Sequence, residues 1–599
     1  MTGNDLTLGR REFLGGLAAL GAITTTACDP CCRAPISLPM PTGDFAIDAH
    51  CHVFNLSDLP AASFVERVTL DIEDNAQLWP LVPFIQMVAT ALVDRSPTAR
   101  EELACLASAE PRRQTGDLRA KPRAFTADRT QDLHDAVEGV LRKHLESNPV
   151  LKAPGLHAES RWPRRDDCKP PDEQRLKATG KLHAEMATLP WLPKLAKRYL
   201  ADPQYDDRAA FERSIPELTR NLIAGKPQGF HVMNNREGDP LSTLINWVWA
   251  MTDYRFRHVE DLVRLSAFGS RRLGLIVPAV VDYQVPLNAP PMATSLADQI
   301  AVMERIAEIR PAGCAVHGYA PFDPFRDIGL DGNAPGSSLA LVKDAVERRG
   351  FIGVKLYPPM GFRAIGNADK DTSGYPSHLK DEKDLGGRLD RSLVGLYEWC
   401  CEKDVPILVH CSDSQEAADA SGLKADPGYW KRVLEDQRFS KLRLNLGHFG
   451  SIWKDTCKPW VEALFPLLRY DNVYADVSDF SFVVRREGTD DAASDTQFWK
   501  ELAWGLEKYP ESRRKILYGS DWNMLGREPG DERFFGEIFK QLPGRTGIPE
   551  ADIMCGNAVD FLGLRSSPKV RERLGTWYDA RGLTPTLLRA VDSLPKRRA

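Results

Sequence analysis

The chain has 599 residues, 43% hydrophobic and 27% charged, the composition of a globular protein with a large buried core rather than a disordered one. Its net charge of -5 and pI near 6.2 leave no broad basic footprint for phosphates, which sets nucleic-acid binding aside. Length alone does not fix the domain count, because α/β barrels hold ~250 residues or more as one unit.

The chain opens MTGNDLTLGRREFLGGLAALGAITTTAC, with Arg10 and Arg11 ahead of the apolar run 13–23. A charged leader followed by a short apolar run predicts a secretory signal over residues 1–27, too short to anchor in a bilayer. The Arg-Arg-x-Phe-Leu arrangement resembles twin-arginine leaders, which implies the twin-arginine export machinery as a partner and a periplasmic destination. Cleavage is expected after Ala27. Lipid attachment at Cys28 is the alternative, which Thr25 fits poorly. No later stretch is apolar for the ~18 residues that a transmembrane helix needs.

Residues 43–57 contain FAIDAHCHVFN. In a strand, residues two apart share a face, so His50 and His52 project together while Cys51 points away. This is the geometry of paired metal ligands, although a His-x-His pair alone also fits a structural or surface role. Asp48 shares that face one pleat deeper and is expected to make a structural hydrogen bond.

Residues 58–270 are predicted to form a mainly helical insertion, with helices in FERSIPELTRNLIAG and STLINWVWAMTDYRFRHVEDLVRLSAF. Polar, Pro-rich stretches such as ESRWPRRDDCKPPDEQRLKATGK read as loop or flexible segments. An insertion rising from the carboxyl end of the first strand could cap a pocket. His231 in GFHVMNNREGD reads as a surface or core histidine, with reach to that pocket as the alternative.

From residue 271 to 565, β-branched runs alternate with amphipathic helices. The runs are RLGLIVPAVVDY, GCAVHGYAPF, GFIGVKLYPP, DVPILVHCS, KLRLNLGHFG, NVYADVSDF and KILYGSDW. With the strand before His50 they make eight, which predicts a (β/α)8 barrel of parallel strands with right-handed crossovers. Residues 566–599 read as a basic helical tail that closes the barrel and presents a solvated surface. Of the twelve cysteines, Cys314, Cys401 and Cys411 sit in or beside apolar runs and are expected to act as small hydrophobes, with Cys51 and Cys411 packing behind the site.

A barrel keeps its chemistry at the carboxyl ends of its strands. There the sequence puts His50 and His52 on the first strand, His410 on the fifth, His448 on the sixth and Asp521 on the eighth. All five are of metal-binding or proton-transfer type. A helix N-cap is the competing role for Asp521, since Gly-Ser-Asp commonly ends a strand and starts a turn.

The stretches IDAHCHVF, GFIGVKLYPP, VPILVHCS, LNLGHFG, ILYGSDW and GNAVDFLGL together resemble the amidohydrolase superfamily. The branch resembled is the amidohydrolase-related one, which also holds aminocarboxymuconate-semialdehyde-type decarboxylases. The resemblance spans the first strand and the second half of the chain, not the insertion. It implies that His50, His52, His410 and Asp521 ligate a divalent metal and that His448 transfers protons. Zinc is the expected ion, with manganese or iron as alternatives. One metal is expected; a binuclear site bridged by a carboxylated Lys355 is the other arrangement the superfamily offers. Lys355, Tyr357 and Arg363 are candidate contacts for an anionic group of a small-molecule substrate. Lys355 could instead pair with Asp476 inside the barrel, and Arg363 could be a solvated loop residue.

The expected activity is hydrolysis of a small organic amide, ester or lactone by a metal-activated water. Non-oxidative decarboxylation on the same scaffold is the alternative. A non-catalytic binding protein with a structural metal is a third, disfavoured because structural zinc sites usually close with cysteine. The sequence is compatible with a homodimer.

Overall fold

The protein is described by a computed structural model over most of residues 34–595; the longest stretches outside the described residues are 68–80, 114–126, 148–194, 225–239, 480–490 and 525–539. The predicted signal segment, Cys28, His231 and the Pro-rich stretch ESRWPRRDDCKPPDEQRLKATGK lie outside the described residues.

Among the described residues the chain forms an α/β barrel of eight parallel strands. These are β1 (Ala46–Cys51), β2 (Leu273–Pro278), β3 in two pieces (Ala315–Val316 and Tyr319–Phe322), β4 (Gly353–Leu356), β5 (Ile407–His410), β6 (Leu444–Gly447), β7 (Val473–Val477) and β8 (Ile516–Tyr518). Every one is buried along its length, as expected for strands covered by helices. Registers such as Lys355 beside Leu408, His410 beside Gly447 and Val477 beside Tyr518 align the carboxyl ends at one rim. β8 returns to β1 through the Asp521 N–H, which donates to the His50 carbonyl at 2.9 Å, and the Ser520 N–H, which donates to Asp48 at 3.1 Å. Asp48 thus has the structural role expected of it, and burial pushes its carboxyl up to about 7 despite the Ser520 hydrogen bonds.

Between β1 and β2 lie α1 (Ala61–Arg67), α2 (Val82–Val93), α3 (Ala99–Ser108), α4 (Ala127–Ser147), α5 (Arg208–Ile223), α6 (Pro240–Ala250) and α7 (Arg255–Leu265). α7 buries Phe256, Val259, Leu262 and Val263 at helical spacing, the stripe that fixes it to the core. Arg255 at its first turn is buried too. It donates to Asp58 through Nε at 2.8 Å and to Glu102 through Nη1 at 2.8 Å, and its Nη2 reaches Asn55 Oδ1 at 3.1 Å. Asn55 and Asp58 follow directly from His50 and His52, so this buried ion cluster ties the end of β1 to α3 and α7. Trp247 of α6 donates Nε1 to the carbonyl of Asn523 at 2.6 Å, beyond β8. The helical segment therefore contacts the rim where β1 and β8 end.

Further along, α8 (Leu296–Ile309) is capped by Ser295, whose hydroxyl accepts from the Asp298 N–H, and ends where Arg310 turns left-handed at φ 55°. α9 (Ser338–Arg348) carries the same kind of cap at Ser337. The C-terminal segment packs against the barrel. Its helix α10 (Pro568–Ala580) buries Leu574, Trp577 and Tyr578, and Tyr578 Oη lies 2.7 Å from His317 Nε2.

Candidate metal centre

Two strand-end motifs set the backbone of the site. Gly447, before His448, and Gly519, two residues before Asp521, both pack on His50. A Cβ at Gly447 would come within 2.9 Å of the His50 ring and of the Val409 carbonyl, and one at Gly519 within 2.8 Å of His50 Cβ. His448 and Asp521 adopt left-handed backbone conformations, φ 61° and 54°. Such positive φ in side-chain-bearing residues is sparsely populated and concentrates at functional sites.

His50 and His52 project together, as the alternation of β1 requires, and both are buried. His52 Nδ1 lies 3.0 Å from the Ala279 carbonyl, which can only accept, so Nδ1 carries the proton and the Nε2 lone pair faces inward. His50 Nδ1 lies 2.9 Å from Asp476 Oδ2 and 3.0 Å from Ser478 Oγ, which turns its Nε2 inward in the same way. Asp521 Oδ1 stands 3.2 Å from His52 Nε2 and 3.5 Å from His50 Nε2, and it is buried without a hydrogen-bond partner. Three electron-pair donors therefore face one point, an arrangement that a divalent cation satisfies. Burial acts to raise the Asp521 carboxyl, and the imidazoles around it, His52 foremost, more than offset that and keep it ionised.

Asp476 is the residue that motif reading under-weighted. It accepts from His50 Nδ1, from Asn445 Nδ2 at 2.7 Å and from the His448 N–H at 3.1 Å. Burial alone would raise its carboxyl; the His50 imidazole and the hydrogen bonds from His50 and Ser478 hold it well below the usual range. It completes a second group with His50 and His448. Because His50 Nδ1 donates to it, Asp476 serves as the carboxylate that orients a ligand. The signal available in the sequence was period two: Asp476 and Ser478 share a face in NVYADVSDF.

His448 and His410 form a pair, with His448 Nε2 3.1 Å from His410 Nδ1. His448 Nδ1 lies 3.3 Å from the Ser478 carbonyl, so its proton sits on Nδ1 and Nε2 accepts from His410. Burial above all pushes His448 down to about 4 and His410 well below its ordinary value, so both are neutral at pH 7. His410, expected as a third imidazole ligand, stands outside both three-residue groups. Its ring packs 4.4 Å from that of Tyr357.

Lys355 is brought to the centre, with Nζ 3.0 Å from His50 Nε2. Burial lowers it to about 8, with Asp521 and Asp476 pulling the other way. Asp476 is not its hydrogen-bond partner, being filled by His50, Asn445 and Ser478. Tyr357 lines the same mouth and donates its hydroxyl to Glu416 at 2.8 Å. Arg363 is directed elsewhere, with its guanidinium 5.1 Å over the Tyr429 ring. Cys51 and Cys411 are buried free thiols, as their alternation implied.

Residues 312–564 match the family model described as amidohydrolase. No curated protein matches the chain. Among solved structures, an amidohydrolase from Burkholderia multivorans with bound zinc is 13% identical, over 53% of this chain and 91% of its own, at TM-score 0.33. Amidohydrolase 2 from Bifidobacterium longum subsp. infantis is 15% identical over 42% and 82%, at TM-score 0.21. A candidate 2-pyrone-4,6-dicarboxylic acid hydrolase from Pseudomonas putida is 14% identical over 49% and 84%, at TM-score 0.28.

Proposed function

We propose that this chain is a metal-dependent hydrolase of the amidohydrolase type that cleaves an amide, ester or lactone of a small organic molecule; the match of residues 312–564 to the amidohydrolase family model supports this reading. His50, His52 and Asp521 are the residues that would hold one divalent cation, with zinc the ion their nitrogen and oxygen donors suit. The observation that carries this reading is the buried Asp521 Oδ1, without a hydrogen bond, facing two imidazole lone pairs. When bound, such a cation supplies Lewis acidity and nucleophilic water near neutral pH.

The protein's own groups do the rest. Asp476 fixes the His50 tautomer, and the Ala279 carbonyl fixes that of His52. Ionised Asp521 is the proton acceptor nearest the centre. The His448–His410 pair shares one proton across 3.1 Å and is the group that returns a proton to the leaving atom. Neutral imidazoles suit this role, because they can take up a proton and release it again within the cycle.

Export through the twin-arginine route to the periplasm is part of the proposal. The leader motif supports it, and so does the disulfide-bonded state of each of Cys105 and Cys457, taken singly. Turnover in ¹⁸O-labelled water with a panel of esters, lactones and amides tests the chemistry. Label in the product acid is expected; carbon dioxide released without label would move the assignment to decarboxylation.

A further inference from the structure

A small cleft opens beside the metal centre, lined by Asp282, Phe322, Asp323, Lys355, Tyr357 and Met360. Lys355 belongs to both, since its Nζ is also 3.0 Å from His50 Nε2. The groups that could grip a substrate carboxylate here are already engaged. Lys355 faces His50, the Tyr357 hydroxyl donates to Glu416, and Arg363 lies over Tyr429. Asp282 is engaged as well, accepting from Arg326 Nε at 2.6 Å and Nη2 at 2.9 Å.

Asp323 is different. It is 3% exposed and follows directly from the end of β3. Its backbone N–H donates to Ser338 Oγ at 3.0 Å, and its Oδ1 accepts from the Phe325 N–H at 3.1 Å, so the side chain is held in place. Its Oδ2 is buried with no hydrogen-bond partner. A buried acceptor left unmatched is unfavourable, and a donor brought by a ligand satisfies it. Burial, with Asp282 adding to it, pushes the Asp323 carboxyl well up, and Arg326, held by Asp282, offsets that only in part; a hydrogen bond donated to Oδ2 would bring the carboxyl back toward its ionised form.

We propose that Asp323 is the specificity-determining residue of the substrate cleft, accepting at Oδ2 an N–H or O–H donor, an ammonium or a hydroxyl, on the non-reacting part of the substrate. Phe322, Met360 and the Tyr357 ring provide apolar walls for the carbon frame that carries the donor. The inference rests on the hydrolytic reading of the adjacent metal centre, and it runs against an anionic group as the feature recognised.

Calorimetric titration of the zinc-loaded, full-length protein at pH 7 with benzylamine, benzyl alcohol and benzoate tests it. Benzylamine or benzyl alcohol is expected to bind at least tenfold more tightly than benzoate. The tighter of the two tells whether an ammonium or a hydroxyl is preferred. Asp323→Asn is expected to reduce that preference at least fivefold with zinc content and circular dichroism unchanged. Should Asp323→Asn fail to fold, Asp323→Glu, which displaces the carboxylate by one methylene, is expected to weaken the favoured probe. Benzoate binding as tightly as the other two, no binding by amine or alcohol, or a preference unchanged in the folded variant overturns the proposal. Binding needs no turnover, so absence of ¹⁸O incorporation would remove the hydrolytic reading while the probe series still decides the role of Asp323.

Discussion

Lys355 Nζ and His50 Nε2 lie 3.0 Å apart, although 305 positions separate them in the chain. The lysine thus occupies the edge of the metal centre, and burial lowers it to about 8, so part of it is unprotonated slightly above neutral pH. A neutral lysine is the form that reacts with carbon dioxide, and that links its protonation to the number of ions the site holds. We expect one equivalent of divalent metal per chain by elemental analysis. Two equivalents, dependent on bicarbonate and lost in Lys355→Ala, would instead assign a carboxylated bridging lysine.

Asp521→Ala is expected to abolish turnover, by about 10³-fold or more, because it removes both a ligand and the nearest proton acceptor. Metal retained after dialysis should fall in the same variant. Chelation of the wild-type protein should silence it, with activity restored by zinc. Full activity in Asp521→Ala would take the residue out of the mechanism.

Asp476 acts through His50. Asp476→Ala is expected to weaken metal binding by roughly 10–100-fold, the range seen when a ligand loses its orienting partner. Competition with a metal-sensitive dye reads this without turnover. Unchanged affinity would show that β1 and the Ser478 hydroxyl suffice to orient the ring.

Arg255 bridges Asp58 and Glu102 in a fully buried setting. Arg255→Met leaves two carboxylates without their counter-charge, and a loss of about 3–5 kcal/mol of stability is expected. Denaturant titration measures it. A loss under about 1 kcal/mol would mean that the carboxylates protonate or rehydrate at little cost; burial already raises Glu102 above the ordinary carboxyl value, which favours protonation.

His317 is buried between the Gly350 carbonyl and Tyr578, and burial pushes it down to about 4. Its unfolded value is near 6.5, so below that pH the unfolded chain binds the extra proton. Stability from this residue is fully present above pH 6.5 and is lost as pH falls toward 4. The loss is on the order of 3 kcal/mol. His317→Gln should flatten this part of the stability profile relative to wild type; an identical slope in both proteins would assign the acid sensitivity to other groups.

Much of the barrel was legible before any coordinates. Runs such as DVPILVHCS and NVYADVSDF are short, β-branched and bounded by helices, and each contains a strand. The third strand was harder: GCAVHGYAPF reads as continuous, yet it breaks between Val316 and Tyr319. There the His317 ring turns to meet Gly350 and Tyr578.

The sequence by itself determined which residues stand at strand ends, because the two-residue period of a strand is local and a histidine pair such as His50 and His52 follows from it directly. The tertiary structure alone decided which of them meet. Asp476 reaches His50, Lys355 stands at the same nitrogen, and His410 turns to His448 rather than to Asp521. Those outcomes depend on register between strands that are far apart in the chain and on the close approach that Gly447 and Gly519 permit. Both are set by packing across the barrel, for which no single stretch of sequence carries a signal.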